Sequence, residues 1–493
     1  MADLNDAGSG IPRGENLHSR YNPQAEAARY VDSLRLKDTL KCFILIEPGL
    51  GYIIPVLAEK FKNGKIIALH IDNFESGEII TSEAVPSGMQ VISRTFPPET
   101  HPSQIQGFLE THIQDENTDN IKIIEWRPSL NFYKEAYLNL LSEVVDFLKR
   151  ADAGQRTASV FGRRWIRNFF RNLKYLKKIL LYRQSGLPVI ITGSGPGLEN
   201  ALPFIREAQS NYLIIAASSS VMALAHYNIT PDIIITTDGT PWALWHLIGG
   251  IRDDSLSETL MAFNLCAALP SQCADMPKLI LNDGSLWQSV ILNKLSIPSI
   301  IIPQRGTVSA TAVELAMTLS HGGIYLAGMD FSYSDIKTHV KPYSFDSLFF
   351  GRACRSAPLY TELYSRSFLS REGGSMYIYA SWFKTQLSLW PKRVYSITNG
   401  NNIFEYKDIS LLKKTPVKLK DTRNDFKIKE DHPRQKEEDI NISAAQALLD
   451  AIRNDSYKEK LTAELRSLVF AGDTDIDITQ KELETEILKV SNG

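Results

Sequence analysis

Residues 328–340 bring together side chains that could carry out acid–base chemistry, directly after an apolar segment that predicts a buried strand. The candidates are Asp330, Tyr333, Asp335, Lys337, Thr338 and His339. His339 lies in a polar loop beside acidic residues. An imidazole can take a proton from an attacking hydroxyl near neutral pH and release it later. The pattern predicts His339 as a general base, although a histidine that only braces the loop would leave the same pattern.

A glycine-rich segment at 193–197 predicts a strand, a sharp turn and the start of a helix. Residues 189–191 are apolar without alternation, as in the central strand of a parallel sheet. Gly193, Gly195 and Gly197 then allow a close turn, and a helix N-terminus favours phosphate or carboxylate. The spacing is neither G-x-G-x-x-G nor a Walker loop. A tight turn that binds no ligand has the same signature, so both interpretations stay open.

Polar residues follow the predicted strands between 186 and about 405, where strands and helices alternate. This alternation predicts a doubly wound α/β domain, whose ligands bind at the carboxyl ends of the strands. The residues expected at these ends are Ser218, Ser219, Ser220, Asp238, Asn282, Asp283 and Asp330. Thr236 and Thr237 precede Asp238, so no D-x-D pair exists to bridge a metal and a nucleotide diphosphate.

A second glycine turn lies nearer the start of the chain, between predicted strands at 42–47 and 66–72. Gly49, Gly51 and Asp72 are spaced like the opening of a nucleotide-binding βαβ unit. Ile54 stands where the third glycine of that motif would be. The sequence is compatible with a ligand site here and with a purely structural α/β domain.

Composition excludes several classes of protein. The net charge of −2 over 493 residues gives no general basic field, so nucleic acid is not an expected partner. No apolar run approaches the roughly 20 residues of a membrane helix. The start of the chain lacks signal-peptide features, and the four cysteines form no C-x-x-C pair. We therefore expect a soluble cytoplasmic protein with reduced thiols.

The pattern of segments predicts an α/β fold in which a Rossmann-like central domain lies between an N-terminal α/β domain and a C-terminal helical domain. The predicted divisions are a disordered start (1–16), an N-terminal α/β domain (17–150), a basic helical connector (151–185), the central domain (186–410), a charged linker (411–440) and a helical domain (441–493). The basic residues of the connector are typical of a solvated helix face and equally of an anion-binding surface.

Several of these motifs together resemble the motility accessory factor (Maf) family of flagellin glycosyltransferases. They are LHSRYNP (17–23), FGRRWIRNFFRNL (161–173), GSGPGL (193–198), ITPDIIITTDG (229–239) and GTVSATAVELAMTLSHGGIYLAGMDFSYSDIKTH (306–339). The resemblance covers about 17 to 405, and its most specific part is the segment that ends at His339. Gly197 departs from the commoner GSGPSL form, which removes a hydroxyl donor.

The resemblance implies a cytoplasmic transferase that moves a nonulosonic acid, such as pseudaminic or legionaminic acid, from its CMP-activated form to Ser or Thr of flagellin. Flagellar filament assembly and motility would depend on it. The central domain of such proteins is similar to bacterial sialyltransferases, which implies a nucleotide-sugar site that needs neither a metal nor a cofactor. The expected partners are flagellin and the CMP-sugar.

The resemblance also assigns roles to individual residues. The turn residues Gly193, Ser194, Gly195 and Pro196 are expected to cradle the CMP phosphate. The residues expected to line the donor crevice are Ser218, Asp232, Asp238, Thr307 and Ser309. Asp330, Thr338 and His339 are expected near the reacting carbon.

Two other functions stay open on the sequence alone. The archaeal 6-hydroxymethylpterin diphosphokinase shares the GSGPGL-type pattern, and that reaction would need ATP, magnesium and a pterin pocket. A non-catalytic flagellin-binding assembly factor would keep the fold and lose turnover.

Overall fold

The computed structural model describes residues 17–62, 64–72, 88–113, 117–181, 184–251, 256–303, 306–332, 337–367, 374–387, 390, 393–398, 403–414, 428–429, 437–454, 458–470 and 480–492. The chain forms two compact units, Met1–Ser159 and Val160–Gly493. The predicted start at 1–16 and most of the predicted linker lie outside the described residues. The six predicted divisions stay a prediction.

The first unit is a four-stranded parallel sheet with helices. Its elements are α1 (Pro23–Ser33), β1 (Cys42–Ile46), α2 (Ile53–Lys60), β2 (Gly64–His70), β3 (Met89–Thr95), α3 (Pro102–Ile113), β4 (Ile121–Glu125) and α4 (Arg127–Tyr133), followed by the start of α5 (Glu135–Leu173). The strand order is β3-β2-β1-β4. The strand residues Cys42 to Ile46 are all buried, as expected for a strand covered on both faces. α5 continues past Ser159 into the second unit.

The second unit is built on a nine-stranded sheet in which every strand pair is parallel. Its order is β11-β10-β9-β8-β7-β6-β12-β13-β14. The strands are β6 (Val189–Thr192), β7 (Leu213–Ala217), β8 (Ile233–Thr236), β9 (Leu260–Asn264), β10 (Lys278–Asn282), β11 (Ile300–Ile301), β12 (Ile324–Ala327), β13 (Val394–Ser396) and β14 (Glu405–Tyr406). A short antiparallel pair joins β5 (Leu180–Leu181) to β15 (Ile428–Lys429).

Helices complete this second unit. They are α6 (Leu198–Ala208), α7 (Val221–His226), α8 (Pro241–Gly250), α9 (Leu286–Lys294), α10 (Val308–Leu319), α11 (Asp346–Arg352), α12 (Leu359–Ser367), α13 (Ser375–Leu387), α14 (Glu437–Asn454), α15 (Lys458–Val469) and α16 (Gln480–Asn492). α14 packs on α9 and buries Ala445, Leu448 and Ile452, the apolar face that helical spacing predicts. The predicted α/β, Rossmann-like fold class is confirmed.

Candidate functional site

The glycine turn after β6 lies at the point where the strand order of the large sheet reverses. β7 lies on one side of β6, and β12, which comes much later in the chain, lies on the other side. Thr192 pairs with Ala327, so the turn at 193–197 and the segment after β12 leave the sheet side by side. Open α/β sheets bind ligands in the crevice at such a reversal. The glycine turn and the segment after β12 therefore both lie at the edge of the sheet where a ligand is expected.

The first two glycines of the turn are required by contact with the neighbouring backbone. Gly193 N–H donates to the Ala327 carbonyl (2.8 Å), and Gly195 N–H donates to the Gly328 carbonyl (2.7 Å). A Cβ atom at Gly193 would lie 2.6 Å from the Gly328 oxygen, and one at Gly195 would lie 2.7 Å from it. The two chain segments can approach this closely only because neither residue has a side chain.

The carboxylate of Asp330 occupies the start of α6. Asp330 is 3% exposed, and its Oδ2 accepts the Gly197 N–H at 2.6 Å. Its Oδ1 accepts the Thr398 hydroxyl at 3.1 Å. Burial raises the pKa of Asp330, and the bonds from Gly197 and Thr398 act in the opposite direction. An internal anion therefore already lies at the position where a helix N-terminus attracts negative charge.

This arrangement corrects the predicted phosphate cradle. The N–H groups of Gly193, Gly195 and Gly197 all donate to acceptors of the protein, and Pro196 has no N–H. Ser194 is the remaining residue of the turn whose N–H has no hydrogen bond to another described residue. The serine-to-glycine departure at 197 also has a local reason, because a Cβ there would lie 2.7 Å from Asp330 Oδ1.

The loop that carries His339 is bound directly to the glycine turn and the first turn of α6. Val340 N–H donates to the Ser194 carbonyl (2.9 Å), and Lys341 N–H donates to Glu199 Oε1 (2.7 Å). The Lys337 ammonium binds Glu199 Oε2 at 2.7 Å. These contacts bring Thr338 and His339 to the Ser194 side of the turn. Tyr333 and Asp335 lie outside the described residues.

The half-buried His339 ring is held in one orientation by two neighbours. Nδ1 lies 2.9 Å from the Thr338 hydroxyl oxygen. The ring stacks on Tyr343 with centroids 4.0 Å apart and planes at 12°. A ring fixed in this way presents Nε2 in a constant direction, which a general base requires.

The next strand ends contribute Ser218 and Asp238. Ser218 is buried directly after β7, and Asp238 is exposed after β8. The Asp238 carboxylate accepts the Thr240 N–H (2.8 Å) and hydroxyl (3.1 Å), so it caps the segment that begins α8. Burial lowers the pKa of His246 to about 4, and the Asp238 charge opposes that shift.

The structure does not bring Asp232 to this crevice. Asp232 precedes β8, and its Oδ2 accepts the Ile214 N–H at 2.9 Å at the amino ends of the strands. The prediction that Asp232 lines the donor crevice is therefore wrong, because the whole of β8 separates it from Asp238. The Thr307 hydroxyl accepts the Ala310 N–H (3.0 Å) and caps α10, and half-buried Ser309 lies in the first turn of that helix.

Two asparagines that the sequence interpretation missed shape the same edge. Asn168 in α5 donates to the carbonyls of Gly239 and Cys266, both at 3.0 Å. Asn172 donates to the carbonyls of Leu265 (2.8 Å) and Ala267 (2.7 Å). Both side chains are buried, and they hold the loops after β8 and β9. The sequence did contain a sign of this role, because two asparagines four residues apart interrupt an otherwise apolar helix face.

The basic part of α5 makes an internal contact. Arg163 Nε donates to the Val469 carbonyl at 2.6 Å, which caps the end of α15. Arg163 also lies 3.4 Å from Glu486 of α16. One of the basic residues predicted to face solvent or an anion therefore fixes the C-terminal helices instead.

Two kinds of special feature are absent from the described residues. No three His, Cys, Asp or Glu side chains among them are placed to hold a metal ion. None of the helices described is long and apolar enough to cross a membrane. The predictions about metal and cofactor requirement stay predictions.

Comparison with known proteins gives matches to the central segment and to the whole fold. Residues 163–336 match the family described as 6-hydroxymethylpterin diphosphokinase MptE-like. An uncharacterized protein of Treponema pallidum (strain Nichols) is 27% identical over 333 residues, which are 67% of this chain and 70% of that protein. A second uncharacterized protein of the same strain is 21% identical over 201 residues, 39% of this chain and 67% of that protein.

The structural comparison spans almost the entire chain. The Maf glycosyltransferase from Magnetospirillum magneticum AMB-1 superimposes with a TM-score of 0.51 at 14% sequence identity. The match covers 98% of this chain and 81% of that protein. At this identity the similarity demonstrates a shared fold. The resemblance predicted from the motifs is therefore confirmed at the level of the fold: the chain shares the fold of this Maf glycosyltransferase, and residues 163–336 are similar to the MptE-like family.

Proposed function

We propose that this protein is a cytoplasmic glycosyltransferase that moves a nonulosonic acid from its CMP-activated form to Ser or Thr of flagellin, as filament assembly and motility require. The observation that carries the proposal is the attachment of the His339 loop to the glycine turn at the reversal of the large sheet. The shared fold with a Maf glycosyltransferase supports the reaction type.

His339 acts as the base for the acceptor hydroxyl. For this role Nδ1–H donates to the Thr338 hydroxyl, so that Nε2 carries the lone pair. Nε2 takes the hydroxyl proton while the acceptor oxygen attacks the sugar carbon, and the bond from that carbon to the CMP phosphate breaks. Stacking on Tyr343 keeps the ring in place during the transfer.

The donor lies on the Ser194 side of the turn, between the ends of β6, β7 and β8. Asp330 neutralises the start of α6, so the departing phosphate is bound by the Ser194 N–H and by side chains outside the turn. Ser218 and Asp238 line this crevice in the proposal. Asp330 acts through the turn that it holds and does not touch the substrate.

The test is the intact mass of flagellin co-expressed with this protein and a CMP-nonulosonic acid pathway. We expect adducts of one sugar mass, and a rate about 10²–10⁴-fold lower for His339→Ala with CMP binding retained. His321→Ala is the matched control, because His321 is exposed and precedes β12 at the amino edge of the sheet. Equal modification by both variants would contradict the assignment of the base.

The MptE-like match favours one alternative, a pterin diphosphokinase. Pyrophosphoryl transfer from ATP to 6-hydroxymethylpterin in the presence of magnesium, without flagellin adducts, would establish that function instead. Unmodified flagellin that co-purifies with the protein would indicate a binding factor without turnover.

A further inference from the structure

The first unit has its own candidate ligand-binding edge, at the carboxyl ends of its strands. β2 and β3 lie on one side of β1 and β4 lies on the other, so the strand order reverses between β1 and β4. Ile46 pairs with both Leu69 and Glu125, which aligns the ends of the three strands. This edge is where open α/β sheets bind ligands.

The turn that follows β1 is held by a buried carboxylate. Glu47 is completely buried and has a positive φ of 42°, which is uncommon for a residue with a side chain. Its Oε1 accepts the Gly49 N–H (3.2 Å), and its Oε2 accepts the Ile71 N–H (2.5 Å). Gly49 and Gly51 also have positive φ angles, of 62° and 80°. The carboxylate therefore fixes the turn against the end of β2.

Three buried hydroxyl groups lie in the segment after β4 without a hydrogen bond of normal geometry to any described residue. They belong to Ser129, Tyr133 and Tyr137, and the Ser129 and Tyr137 residues are completely buried. Buried polar groups in native proteins nearly always have a partner, so these hydroxyls are available to a polar ligand or to water.

The two tyrosines pack near the ends of β1 and β2, since Tyr137 belongs to the apolar cluster that contains Ile46 and Ile71, and Tyr133 packs against it. Burial raises the pKa of Tyr133, and the charges of Glu47 and Asp72 raise it further. Burial likewise raises the pKa of Tyr137, and the Glu125 charge raises it further. The Trp126 backbone N–H lowers this pKa by a smaller amount. The charges of the carboxylates at the ends of β1, β2 and β4 therefore act on the two hydroxyls.

The turn is unsuited to phosphate. Leu50 N–H, a donor that a phosphate-binding turn would use, donates to His18 Nε2 at 3.0 Å. Burial lowers the pKa of His18 to about 4, so the ring is neutral at pH 7. Glu47, Asp72 and Glu125 add negative charge that would repel a phosphate. The ligand at this edge is therefore uncharged or cationic near the turn.

Asp72 indicates which polar ligand fits. It follows β2 about 20 residues after Gly51, where the acid that binds ribose hydroxyls stands in nucleoside-binding βαβ units. The geometry points to a nucleoside site in the first unit, in which Asp72 accepts hydrogen bonds from the ribose diol. The tyrosine hydroxyls provide further polar contacts, and no phosphate binds to the turn. This site is separate from the one proposed for glycosyl transfer.

The test is isothermal titration calorimetry of the full chain with adenosine, S-adenosyl-L-homocysteine and cytidine. The comparison ligands are 2′,3′-dideoxyadenosine, which lacks the ribose diol, and the phosphorylated compounds NAD⁺ and CMP. We expect at least one ribose nucleoside to bind with a Kd below about 1 mM. Affinity for that nucleoside should fall at least about 10-fold in Asp72→Asn, and the dideoxy analogue should bind at least about 10-fold more weakly. Asp119→Asn is the matched control, an exposed acid that precedes β4 at the amino edge of the same sheet.

Three outcomes would overturn the inference. They are no binding of any ribose nucleoside up to about 10 mM, equal affinity in Asp72→Asn and Asp119→Asn, and binding by the phosphorylated compounds alone. If Asp72→Asn does not fold, hydrogen exchange of the unaltered protein decides the question. The nucleoside should then protect residues 47–54 and 126–133, and protection confined to other segments would refute the site. Asp72 belongs to the first unit, so a loss of nucleoside affinity in Asp72→Asn separates this site from the crevice proposed for glycosyl transfer.

Discussion

Replacing Gly197 by serine tests whether Asp330 occupies the start of α6. Gly197 has a φ of −63°, so its backbone conformation suits serine and the effect of the change is steric. The new Cβ would lie 2.7 Å from Asp330 Oδ1 and 3.0 Å from Oδ2. Asp330 is almost completely enclosed and also accepts the Thr398 hydroxyl, so it cannot shift without breaking a contact.

The expected loss of stability in Gly197→Ser has two parts, a lost hydrogen bond and overpacking. The Gly197 N–H bond to a charged acceptor contributes about 1.5–3 kcal/mol, and overpacking a buried site costs about 1–3 kcal/mol. We therefore expect Gly197→Ser to lower the free energy of unfolding by about 3–4 kcal/mol. Asp330→Ala should cost about 2–3 kcal/mol by itself. The double variant should fall short of the sum by about 2 kcal/mol, because serine no longer meets the carboxylate.

The assay is urea unfolding followed by tryptophan fluorescence, which reports mainly on the second unit because Trp126 alone of the seven tryptophans lies in the first. Gly186→Ser is the control, since Gly186 is exposed and a Cβ there meets no atom within 4 Å. It should change stability by less than about 0.5 kcal/mol. Strict additivity of the two changes, or a neutral Gly197→Ser, would refute the proposed contact.

Three further predictions concern stability and reactivity. Lys278→Met should cost about 3 kcal/mol or more in urea unfolding, because the buried ammonium binds three carbonyls of residues 273–276. The folded-state pKa of His18 is about 4 against 6.5 unfolded, so the folded state binds fewer protons between these values. Stability should therefore fall by about 1–2 kcal/mol as pH drops through that window, after allowance for partial exposure, and His18→Gln should reduce the dependence. Ellman's reagent should modify exposed Cys354 quickly and the other three, buried thiols only after denaturation; fast reaction of a second thiol would contradict the burial.

The sequence predicted the fold because local patterns determine it. Apolar runs such as residues 189–191 and 213–217 are typical of strands covered on both faces, as in a parallel sheet flanked by helices. The approach of Asp330 to Gly197 was not predictable, because residues far apart in the chain meet only after β12 pairs with β6. Asp232 was assigned to the crevice by the family resemblance. The order of the chain itself places Asp232 before β8, at the amino edge of a parallel sheet, and Asp238 after it.

The two glycine turns of the chain show why such motifs alone do not predict phosphate binding. In each unit a carboxylate of the protein accepts a hydrogen bond from an N–H group of the turn. Glu47 accepts from Gly49, and Asp330 accepts from Gly197. A turn closed by a carboxylate is neutral or negative toward solvent, whereas a phosphate site needs uncompensated donors. The glycines here allow the close approach of protein groups. A transferase with this arrangement has the Ser194 N–H of the turn left for the donor phosphate, so the other contacts must come from groups outside the turn. The His339 loop, held by Ser194 and Glu199, lies beside the turn and can provide such groups.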